Sequence, residues 1–131
     1  MRSEILTMPK IVKANSRRIE PTAERCLISE IWGSSDDDNV SIARAVVRSK
    51  ISTAAHRLSG VNEIYLIAEG KGKVDIDGLE PTEVGVGDLI FIPANTCQRI
   101  TNIGKTNLVF YCICTPKFTA ECYQREEDGN P

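Results

Sequence analysis

A chain of 131 residues has the length of one domain, and its 41% apolar and 26% charged residues suit a buried core better than a disordered tail. With 16 Lys and Arg against 18 Asp and Glu, it has no basic surplus for nucleic-acid phosphates or an anionic membrane surface. A single histidine, His56, excludes every site that draws two or three histidines from one chain.

The first segment, Met1 to Lys13, is interrupted by charges at Arg2, Glu4, Lys10 and Lys13 and lacks the apolar stretch of a secretory signal. No run approaches the ~20 apolar residues that span a bilayer, so a cytoplasmic protein with no membrane partner is expected. Pro9 and Pro21 break any long helix, and Arg25 to Trp32 reads as an extended arm or strand. Trp32, the only tryptophan, is expected to pack the arm over a barrel mouth or a partner subunit. Gly33 to Asn39 is a loop by composition; Asp36, Asp37 and Asp38 lack the alternation of a calcium loop and read as a solvated turn. Residues 1–39 are therefore expected to form an N-terminal arm.

From Val40 onward the chain reads as short strands: Ser41 to Arg48, Ile64 to Ala68, Lys73 to Ile76, Asp88 to Ile92, Gln98 to Thr101 and Asn107 to Cys114. Turn signals separate them, among them Gly70-Lys71-Gly72, Asp77-Gly78 and Gly85 to Gly87, and no amphipathic helix intervenes. That pattern predicts an all-β sandwich or barrel with its core in residues 40–116 and a tail at 117–131. In Glu63 to Ala68 both strand faces are largely apolar, so a second cover is needed and a homodimer is expected. The five cysteines are odd in number and form no Cys-x-x-Cys, which predicts free thiols. Cys112 and Cys114 share one strand face and read as small buried apolar residues, with a redox pair or thiolate ligands as alternatives.

Two spaced sets of residues resemble the motifs of the cupin superfamily, in its small mannose-6-phosphate isomerase-like form. Lys50 stands where the first motif opens with Gly, followed by His56, Leu58 in place of a second His, Glu63 and Gly70. The second motif is matched by Gly87, Pro93, Asn95 in place of Gly, Gln98 in place of His, and Asn102, and sixteen residues separate Gly70 from Gly87. The resemblance implies a double-stranded β-helix, the jelly-roll barrel. Gly70 and Gly87 are expected at positive φ, and Asn95 is the non-glycine residue best able to follow them.

By position, the resemblance also implies that His56, Glu63 and Gln98 converge inside the barrel. A mixed N/O set of this kind suits Fe(II), Mn(II), Ni(II) or Zn(II). The alternative is a buried acid and base hydrogen-bonded to each other, with Gln98 completing the network. Tyr65 faces the same way as Glu63 and is a candidate acid or base. Arg44, if its face is the interior, would anchor a carboxylate or phosphate; otherwise it is solvated. Arg57 and Arg99 are expected on the surface, and Asn102 is expected to cap the turn that follows it. Two functions remain: a metal-dependent isomerase, lyase or dioxygenase acting on a small polar or anionic molecule, or a metal-free module that binds a sugar or acid. A third option is acid-base chemistry by His56 and Tyr65 alone.

Overall fold

The computed structural model describes residues 8–14, 18–22, 24–33 and 35–126. Residues 1–7 and 127–131, the far ends of the expected arm and tail, lie outside the described residues, as does Ser34 of the aspartate turn. The strands in chain order are β1 (Ile19–Pro21), β2 (Leu27–Trp32), β3 (Ser41–Val47), β4 (His56–Leu58), β5 (Asn62–Glu69), β6 (Gly72–Ile76), β7 (Thr82–Val84), β8 (Leu89–Ile92), β9 (Gln98–Asn102), β10 (Leu108–Thr115) and β11 (Tyr123–Arg125). They form two antiparallel sheets, β1-β2-β3-β10-β5-β8 and β11-β4-β9-β6-β7, the jelly roll expected from the motifs. No helix among the described residues is long and apolar enough to cross a membrane.

Alternation places the core. Val74 and Ile76 of β6, Ile100 of β9, Ile67 of β5 and Leu108 and Phe110 of β10 point between the sheets and are buried. Each contributes about 1.5–3 kcal/mol by leaving water. A second cluster gathers Leu58, Val61, Cys114 and Cys122, with Tyr123 packed against it. Asn102, wholly buried, ties the far end together. Its side-chain amide donates to the carbonyls of Val47 at 2.9 Å and Thr106 at 2.8 Å, while its Oδ1 accepts the Gly104 N–H at 2.8 Å. The expected turn cap is therefore present and also reaches across to β3.

Both flanking segments join the sheets. β2 pairs with β3, and beyond residue 116 a short 3-10 turn at Ala120–Cys122 leads into β11, which pairs with β4. The aspartate turn differs from a solvated loop. Asp37 is buried and accepts from Trp32 Nε1 at 3.2 Å and from the Asn39 N–H at 2.8 Å, Asp36 accepts the Gly33 N–H, and Lys117 pairs with Asp38 at 2.7 Å. Trp32 packs on the arm through the Lys10 ammonium, 5.3 Å from its ring centroid.

Candidate functional site

The two sheets do not meet fully. Between the clusters lies a cavity of about 360 Å³ whose wall includes His56 and Leu58 of β4, Glu63 and Tyr65 of β5, and Phe110, Cys112 and Cys114 of β10. Register explains the convergence. His56 is the cross-strand partner of Gln98, while Glu63 stands beside Cys114 and Tyr65 beside Cys112. Cross-strand partners share a face, so each sheet presents its polar pair to the other. Tyr65 Oη donates to Gln98 Oε1 at 2.6 Å, joining the sheets through a buried hydrogen bond.

His56 is oriented at both nitrogens. Nδ1 lies 2.8 Å from the Ala54 carbonyl, which can only accept, so Nδ1 carries a hydrogen. Nε2 then faces Glu24 Oε2 at 3.3 Å. At that distance Glu24 abuts the Nε2 edge of the ring while the Ala54 carbonyl holds the Nδ1 edge, so the two together fix its orientation. The ring stacks on Tyr123 with centroids 4.9 Å apart, which fixes its plane.

Glu24 is the residue that motif reasoning misses. It sits in the turn between β1 and β2, where nothing in the spacing connects it to His56. The turn is pinned to the wall: the Ala54 N–H donates to the Glu24 carbonyl at 3.1 Å, Arg25 Nε donates to the Ser52 carbonyl at 2.9 Å, and Thr22 Oγ1 donates to the Cys26 carbonyl at 2.9 Å. Arg25 takes a left-handed backbone with φ 67°, which closes the turn. The one local signal was Pro21, which breaks a regular element just ahead of it.

Glu63 is the most perturbed acid. Burial, reinforced by the nearby charge of Glu24, pushes its carboxyl up to about 8, so it is protonated at neutral pH. Cys114 Sγ donates to its Oε2 at 3.8 Å, while Oε1 is buried with no hydrogen-bond partner. Cys26 Sγ likewise donates to Glu24 Oε1 at 3.7 Å. Burial and the same carboxylates push the Cys26 thiol up to about 12 and raise those of Cys112 and Cys114, so these sulfurs stay protonated donors. All three are free thiols facing the cavity. Burial and Glu63 also raise Tyr65 well above the usual phenol range, and its proton is already given to Gln98.

Arg44 departs from the anchoring role considered for it. Its neighbours Ala43 and Ala45 line the cavity and it does not, because alternation along β3 turns its side chain to the outer face of the sheet. Arg57 donates to Glu126 at 2.9 Å and to the Asn95 carbonyl, and Arg99 lies 3.8 Å from Asp75, both outside the cavity wall.

The family model of the cupin domain matches residues 46–114, more than half of the chain. The chain is a cupin. Among curated relatives, the cupin is 35% identical over 121 residues to an uncharacterised protein of Methanocaldococcus jannaschii, MJ1618, covering 89% of this chain and 95% of that one. Among solved structures it resembles the nucleoside dehydratase Pac13 of Streptomyces (13% identity, TM-score 0.76, 92% of both chains). It also resembles KdgF from Halomonas sp. (10% identity, TM-score 0.73, 83% of this chain and 96% of that). A third likeness is to a predicted oxalate decarboxylase of Thermotoga maritima (20% identity, TM-score 0.73, 82% and 99%). At these identities the likeness is one of fold.

Metal centres are common among cupins, and the expected donors of this cupin were His56, Glu63 and Gln98. Their chemistry does not fit a divalent ion. His56 Nε2 is engaged with Glu24, Gln98 Oε1 already accepts from Tyr65, and buried Leu58 fills the position of a second histidine. Only Glu63 Oε1 is unengaged, and among the described residues no three His, Cys, Asp or Glu side chains are grouped to hold a metal.

Proposed function

We propose that this cupin is a lyase or isomerase that binds a small polar molecule between its sheets and moves protons on it with its own side chains. One observation carries the reading: a single cavity holds His56 and Glu24 set 3.3 Å apart and a separate carboxyl, Glu63, whose burial keeps it protonated at neutral pH. Burial marks Glu63 as the acid of the site, and Glu24 beside His56 is the base we assign. In a dehydration, the Glu24 carboxylate, held by His56, takes the proton from carbon next to a carbonyl, and a carbon–carbon double bond forms. The departing hydroxyl takes the Glu63 proton and leaves as water, so the proton count balances. In an isomerisation the same two groups would remove and return a proton at neighbouring atoms. Tyr65 then positions Gln98 and the wall behind Glu63, and is not the proton donor. The nucleoside dehydratase Pac13 is a precedent for elimination in a barrel of this fold. A metal-free binding module would use the same cavity without proton transfer.

The test is deuterium exchange. The protein is incubated in D2O with a mixture of neutral ketoses, aldoses and oxidised nucleosides, and loss of carbon-bound protons is followed by NMR. We expect exchange that persists in EDTA and falls at least ~100-fold in both His56→Gln and Glu24→Gln. Exchange that needs added Mn(II), Fe(II), Ni(II) or Zn(II) would restore the metal-dependent reading. Ligand-induced thermal stabilisation without any exchange would leave the binding module.

The partner we propose is a second copy of the chain, seated on the outer face of the larger sheet. Leu66, Leu89 and Phe91 are exposed there on adjacent strands, although the other face of the same strands is already packed.

A further inference from the structure

The cavity wall is unusual in its charge. Among its described residues there is no lysine or arginine, while three glutamates, Glu24, Glu30 and Glu63, belong to it. The one basic side chain in the described wall is His56, and Glu24 Oε2 lies 3.3 Å from its Nε2. Arg25, the arginine next in sequence to Glu24, spends its Nε on the Ser52 carbonyl. Arg44 points to the opposite face of the sheet. We infer that this cavity takes an uncharged molecule, a hydroxyl-bearing ring of nucleoside or glycoside size, and turns away phosphates and carboxylates.

The inference rests on reading this cavity as the ligand site. A phosphate or carboxylate entering it would lose its hydration and gain no opposite charge, because the imidazole is already committed to Glu24. At the rim it would also meet Glu30, which is exposed. An uncharged hydroxyl suits the same wall. It can accept the proton of Glu63 at Oε1, the buried oxygen left without a partner. The apolar face of a ring would lie against Phe110, Phe118 and Tyr123, which line the cavity beside the polar groups. A cationic ligand gains less than the glutamate count suggests, since burial keeps Glu63 protonated and Glu24 already faces His56.

Matched pairs test the inference by binding alone: uridine against uridine 5′-monophosphate, and methyl glycosides of neutral sugars against the corresponding uronic acids and sugar phosphates. Affinities are measured by calorimetry and thermal shift in EDTA at neutral pH. The neutral member should bind at least ~100-fold more tightly than its anionic partner. Phe118→Arg places a cation at the half-open mouth, where Phe118 is 38% exposed, and should shrink the difference at least tenfold. Equal or tighter binding of the anionic members, or no binding by any neutral member, overturns the inference. The two readings fail separately. A wild-type protein that prefers neutral ligands and exchanges nothing would sink only the catalytic proposal, and one that exchanges protons yet binds anionic members as tightly would sink only this one.

Discussion

Glu63 places a cost on the fold that varies with pH, and the sign follows from its surroundings. Its carboxyl ionises near 4.5 in ordinary solution and is pushed up to about 8 in the folded protein. Below about 4.5 both folded and unfolded chains hold the proton, so the burial is free of linkage. Between 4.5 and 8 the unfolded chain releases its proton while the folded chain keeps it, so stability falls with rising pH, by up to ~1 kcal/mol per pH unit. Beyond about 8 both have released it and the loss levels off. Glu63→Gln removes this dependence without removing the donor to the cavity. Urea denaturation at pH 5, 6, 7 and 8 should find the variant gaining on the wild type step by step across that window. Parallel curves would mean the carboxyl is not held protonated. Activity should fall in the same direction, since a Glu63 that has lost its proton above pH 8 cannot protonate a leaving group.

At the scale of elements, the left-handed positions of the two motifs are what the sequence disclosed most directly. Gly70 and Gly87 have φ of 84° and 91°, and Lys50 and Asn95, standing where the motifs have glycine, both have φ of 66°. The turn geometry outlasts the loss of the glycine because it is set by the strands on either side. Gly70 is the position with no such tolerance. A Cβ there would lie 2.5 Å from the Asn107 carbonyl oxygen and 3.0 Å from the Leu108 Cα, both backbone atoms that cannot turn aside. Gly70→Ala should cost about 2–4 kcal/mol, combining strain with displacement of the strand. Gly78→Ala, at φ 95° but with nothing within 4 Å, should cost only about 1 kcal/mol. Equal losses in urea denaturation would put the whole effect in backbone strain. The seven strands of four or more residues were legible because alternation persists over several residues. β1, β4, β7 and β11 have three residues each, too few for a period, and their pairing is decided by partners distant in the chain. Glu24 escaped for that reason. Its place beside His56 comes from a turn folded onto the barrel wall, and no spacing rule encodes that contact. His56, Glu63, Tyr65 and Gln98 were found because strand register carries them.

At the scale of the whole molecule, the larger sheet is apolar on both sides. Register sets out two rows across its outer face. Leu66 lies between Tyr111 and Leu89, and Ile64 lies between Ile113 and Phe91. Arg44, partnered with Tyr111, stands at the margin of the first row, which gives the displaced candidate a location if not an anchor's role. Phe91 and Leu89 are 53% and 59% exposed on β8, the edge strand, so the patch continues to the end of the sheet. An uncovered surface of that kind also leaves β8 open to edge pairing, and a two-fold related copy would cover both at once, burying on the order of 800 Å² per subunit if it is of standard size. Phe91→Glu tests this cleanly. The side chain faces away from the cavity, so its loss should change monomer stability by less than ~0.5 kcal/mol and leave ligand binding intact. Two charges brought together across the two-fold should split the dimer. Light scattering after gel filtration should give a dimer for the wild type and a monomer for the variant. A wild type that is monomeric at micromolar concentration would require another cover for this face.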